Sequence, residues 1–92
     1  MPGLQVYVDY PSEDEHIASN LYTFRIGTAP PAVRVEISVD GEPWQACRAG
    51  SGYWWFDWIG FEIGEHSLKA RAQGQDGATA QSKPRRFRRV AG

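Results

Sequence analysis

The chain has 92 residues, 41% of them hydrophobic, with four Trp, four Tyr and four Phe, and its ten Lys and Arg against eleven Asp and Glu leave a net charge of −1. A chain this short holds material for one core, so residues 1–92 are expected to form a single domain, and an aromatic content this high excludes disorder. The near-neutral balance argues against a dedicated nucleic-acid binder, the lone Cys47 excludes an internal disulfide, and no apolar run reaches the length of a membrane span.

In chain order, the opening MPGLQVYVDY has neither a base nor an unbroken apolar run, so no secretory leader is read. With a single thiol, this points to the cytoplasm. Leu4, Val6 and Val8 alternate up to Tyr10-Pro11 and predict a first strand, and Tyr22, Phe24 and Ile26 predict a second before Gly27 and Pro30-Pro31. The clearest strand is Ala32 to Asp40, where Val33, Val35, Ile37 and Val39 alternate with Arg34, Glu36, Ser38 and Asp40. Asp40-Gly41 supplies the positive φ of a tight turn, and Trp44 to Arg48 is expected to return as a short partner.

After a turn over Ala49 to Gly52 comes the aromatic run GSGYWWFDWIGF, residues 50–61. His66 to Ala72 is a further half-buried strand with His66, Leu68, Ala70 and Ala72 on its apolar face. Gly74 to Gly77 turns the chain, and Thr79 to Val90 is a last strand with Pro84 as an edge residue or kink. Seven short strands with no helical period predict an all-β antiparallel sandwich.

The segments VRVEISVDGEPWQA, GYWWFDW and GEHSLKARAQGQDG resemble bacterial immunoglobulin-like domains, including the Ig-like dimerisation domain of molybdenum-cofactor oxidoreductases of the sulfite oxidase type. The resemblance covers residues 33–77 and implies an immunoglobulin/fibronectin-III-like sandwich with a role in adhesion, spacing or dimerisation. It implies no active site, because the matched positions are core and turn residues. Gln73-Gly74-Gln75 ahead of Asp76 departs from the family pattern, which places an Asp sooner after the Arg-Ala pair.

Alternation divides the aromatic run into Trp54, Phe56 and Trp58 against Tyr53, Trp55 and Asp57, and the charge of Asp57 marks the second set as the outer one. If the neighbouring strand buries Tyr22, Phe24 and Ile26, then Leu21, Thr23 and Arg25 share the outer surface with Trp55. Tyr53, Trp55, Leu21, Arg25 and Asp57 are therefore the candidate binding residues. A bare Arg25–Trp55 stack competes with a protein or self-association patch, for which Trp and Tyr are favoured anchors, and with a carbohydrate platform beside Asp57.

KPRRFRRV, residues 83–90, complements the acids Asp9, Glu13, Asp14 and Glu15 near the start. It is read as a charge-guarded edge strand with Phe87 in the core, in preference to a nucleic-acid site. His16 and His66 lack partners at metal-ligand spacing, so no metal and no cofactor is expected. His66 is read as a partly buried residue bonded to a backbone carbonyl, and Cys47 as a small hydrophobe. No serine sits on a glycine-flanked elbow, and the chain is read as non-enzymatic.

Overall fold

A computed structural model describes residues 3–60 and 62–91; Phe61, the last aromatic of the run, lies outside them. The strands are β1 (Gln5–Tyr10), β2 (Glu15–Ile17), β3 (Leu21–Ala29), β4 (Arg34–Val39), β5 (Gln45–Ala46), β6 (Arg48–Gly50), β7 (Tyr53–Ile59), β8 (Gly64–Gln73), β9 (Thr79–Gln81) and β10 (Arg85–Arg89). A four-stranded sheet in the order β1-β3-β7-β6 packs on a six-stranded sheet in the order β2-β10-β8-β4-β5, with β9 also on β8. The expected β-sandwich is the fold.

The seven expected runs become ten segments for identifiable reasons. The run at 44–48 splits at Cys47: β5 pairs with β4, while β6 pairs with β7 in the other sheet. The Cys47 N–H donates to the Val35 carbonyl at 2.9 Å where the chain crosses. The last run splits before Pro84, which has no N–H for a ladder, and there the Ser82 hydroxyl accepts the Ala70 N–H at 2.9 Å. Strand β2 was not anticipated, because nothing in its three residues shows a period. It runs parallel to β10, the one parallel ladder among the described strands, and brings the acidic segment against the basic one. Glu13 accepts the Arg86 N–H at 2.9 Å, and the Asp14 N–H donates to the Arg86 carbonyl at 2.8 Å.

The core combines Val8, Phe24 and Ile26 of the first sheet with Val35, Ile37, Leu68, Ala70 and Phe87 of the second, all buried. Phe24 stacks against Trp58 with centroids 5.7 Å apart, and Trp58 meets Phe87 edge-on at 5.2 Å, geometries that add to the area they bury. Trp54 and Phe56 point inward with Trp58, as alternation predicts, but of the three only Trp58 is buried, the others being partly exposed. The flanking strands β5 and β6 span only two and three residues, so they leave that side of the sandwich thin. Val33 lies ahead of β4 and is 50% exposed, contrary to the alternation that placed it inward.

Candidate interaction face

Register determines what the outer face of the four-stranded sheet displays. Arg25 on β3 pairs with Trp55 on β7 and with Tyr10 on β1, and Trp55 in turn pairs with Arg48 on β6. Two residues further along β3, Gly27 faces Tyr7 of β1. A Cβ built on Gly27 would lie 2.3 Å from the Tyr7 ring, so the missing side chain is what lets that ring lie on the β3 backbone. Tyr7 and Tyr10 are 44% and 46% exposed, while Tyr53 and Trp55 are half-buried.

These rings are held in place. The Arg25 guanidinium lies over the Tyr10 ring at 4.6 Å and the Tyr53 ring at 4.3 Å, and its Nε donates to Asp9 Oδ2 at 3.3 Å. Cation–π contact with two rings and a carboxylate leaves the guanidinium little freedom. Trp55 Nε1 donates to the Gly50 carbonyl at 2.8 Å, and its ring meets Tyr53 edge-on at 6.0 Å. The turn that permits this is Ser51-Gly52, where φ values of 52° and 82° give the two-residue hairpin geometry between β6 and β7.

The five sequence candidates do not form one patch. Leu21 stands beside Ile59, and between that pair and the Arg25–Trp55 pair lies the polar pair Thr23–Asp57. Thr23 donates to Asp57 Oδ1 at 2.7 Å and Arg48 Nη2 to the same atom at 3.2 Å, which holds the Asp57 carboxyl below the usual carboxylate range. Arg25, expected to stack on Trp55, lies instead over Tyr10 and Tyr53, because Asp9 draws its side chain toward β1. Tyr7, Tyr10, Gly27, Asp9 and Arg48 were missed. Alternation does place Tyr7 outward, but only the pairing of β1 with β3 brings it to this surface.

The groups with reactive potential are occupied elsewhere. Burial pushes the Cys47 thiol up to about 12. His66 has Asp40 Oδ2 2.6 Å from Nδ1, and the Glu62 carbonyl 2.9 Å from Nε2 as the sequence suggested. No cluster of His, Cys, Asp or Glu among the described residues could hold a metal ion.

A scan against protein-family models and a search of curated proteins return no match. Among solved structures, the chain is similar to the fibronectin(III)-like modules of Clostridium thermocellum CbhA, with a TM-score of 0.72 and 22% identity over 92% of this chain and 94% of that one. It is also similar to an engineered protein, with a TM-score of 0.77 and 17% identity over 95% of this chain, which spans only 20% of that protein's length. The fold is thus that of an immunoglobulin/fibronectin(III)-like module.

Proposed function

We propose that the chain is a non-enzymatic interaction module that docks a protein partner, or a second copy of itself, through the outer face of the β1-β3-β7-β6 sheet. The observation that carries this reading is the arrangement of Tyr10 and Tyr53 on a clamped Arg25, with Trp55 edge-on to Tyr53 and Tyr7 on Gly27 of the same face. Tyr, Trp and Arg dominate binding hot spots, and side chains already fixed in the free protein lose little entropy on docking. Dimerisation, as implied by the Ig-like domains the sequence resembles, is one form of this reading; a spacer is the form that needs no partner at this face. The occupied state of Cys47 and His66 supports the absence of catalysis.

Trp55→Ala and Tyr10→Ala should leave melting nearly unchanged and weaken association by about 2 kcal/mol each, read by sedimentation and by pull-down. Unchanged association in both variants would remove this face from consideration. A carbohydrate-binding reading is favoured by one observation: the hydroxyls of Tyr7, Tyr10 and Tyr53 make no hydrogen bond among the described residues, so flat rings come with free donors that suit a pyranose. Glycan-array binding that is lost in Trp55→Ala would select it.

A further inference from the structure

The opposite face of the sandwich carries a groove that the interaction face does not involve. Outward positions of β9, β8 and β4 line up in two cross-strand rows, Thr79·Gln73·Arg34 and Gln81·Arg71·Glu36. Together they line a groove of ≈ 550 Å³. Gln81 also borders a second hollow of ≈ 240 Å³ that contains Lys69 and Trp44.

Glu36 organises the cationic part. Arg71 Nε donates to Glu36 Oε1 at 2.8 Å, and Arg34 Nη2 donates to Oε2 at 3.2 Å. The Arg71 guanidinium carbon also lies over the Trp44 ring, 4.2 Å from its centroid. One carboxylate thus orients two arginines while compensating only one of them, and each guanidinium keeps further N–H donors after this contact. Lys69, one row further along β8, has no ion pair among the described residues but shares the second hollow with Glu42, so the surplus positive charge of the groove is that of Arg34 and Arg71 over Glu36. The amides of Gln73 and Gln81 and the Thr79 hydroxyl are exposed and make no side-chain hydrogen bond among the described residues.

We infer that this groove binds an acidic peptide segment, whose carboxylates engage Arg34 and Arg71 and whose backbone amides pair with Gln73 and Gln81. The surplus of positive charge selects an anionic ligand. Carboxamide side chains, each both donor and acceptor, complement peptide groups on an extended chain.

The test is an amide-shift NMR titration of the full chain with an oligoglutamate peptide. Saturable shifts are expected at Arg34, Arg71, Gln73 and Gln81. Arg34→Gln with Arg71→Gln should weaken binding on the order of tenfold, as expected for loss of two charge-assisted contacts. Arg86→Gln with Arg88→Gln, on β10, which pairs with β8 only over Gly64–Leu68 and lines neither row of the groove, should leave binding unchanged. Should Arg71→Gln impair folding, Arg34→Gln alone must still weaken binding, since that side chain is 62% exposed. Shifts that do not saturate, or equal losses in the two double variants, would overturn the site. Tighter binding of an oligogalacturonate than of the oligoglutamate would overturn the peptide as its occupant.

Discussion

His66 Nδ1 lies 2.6 Å from Asp40 Oδ2, and its Nε2 lies 2.9 Å from the Glu62 carbonyl. With acceptors at both nitrogens, the ring is satisfied only as imidazolium. Burial between Trp58 and Phe87 opposes the charge. The Asp40 carboxylate and Glu62 carbonyl outweigh that burial and raise the pKa above its ordinary value.

This pair makes stability pH-dependent in a defined direction. The unfolded histidine binds its proton only below about 6.5. The stabilisation is therefore fully present below that pH and is lost as pH rises through the folded value. Wild-type protein should melt at progressively lower temperature as pH rises from about 6.5 through the raised folded value, and His66→Gln should show a flatter profile. Equal slopes would assign the dependence to another group.

Among the aromatic side chains that face the core, position decides cost. Phe24, fully buried between Trp58 and Phe87, should lose about 3–5 kcal/mol as Phe24→Ala in urea denaturation. Trp54→Ala, half-buried on the thin side, should lose no more than about half of that. A Trp54→Ala cost equal to that of Phe24→Ala would contradict the partial burial of Trp54.

Arg89 is a buried cation with no carboxylate partner among the described residues. It donates to the carbonyls of Gly60, Ile17 and Val90 and to the Asn20 side chain. Arg89→Met orphans these acceptors at about 1–3 kcal/mol for each that stays dry. Arg89→Lys should rescue little, because an ammonium cannot span the planar set. A midpoint in urea within error of wild type for Arg89→Met would show that the guanidinium is dispensable.

Tyr7 lying on Gly27 should move the Gly27 Hα resonances upfield through the ring current. Tyr7→Leu should return them to the ordinary range without unfolding the protein. Unshifted wild-type Hα signals would mean that the ring stands off the strand.

Strict alternation made β4, β7 and β8 legible in the sequence, because one face of each is buried and side chains alternate with a period of two. The register of β4 on β8 then brings Glu36 opposite Arg71. Three features were not legible. Strand β2 is held by backbone bonds to β10, which leave no side-chain pattern. Arg89 reads as one more surface base until β2 and the Gly60 carbonyl enclose it. The interaction face depends on which strands are neighbours and in what register, so Tyr10 was invisible as a partner of Arg25 and Tyr7 as a neighbour of Gly27, and Leu21 was assigned to a patch that Thr23 and Asp57 divide.

The parallel ladder between β2 and β10 has a mechanical consequence. Once β1 has been drawn off β3, a pull from the N-terminal side draws β2 toward its N-terminal end, and a pull beyond β10 draws that strand toward its C-terminal end. Because the two strands point the same way, the pairs Glu15–Phe87, His16–Arg88 and Ile17–Arg89 slide against each other and are loaded together, instead of opening one after another like a zipper. Under tension that reaches both strands, this short ladder and the buried Arg89 beside it form a clasp that must shear before β2 and β10 separate.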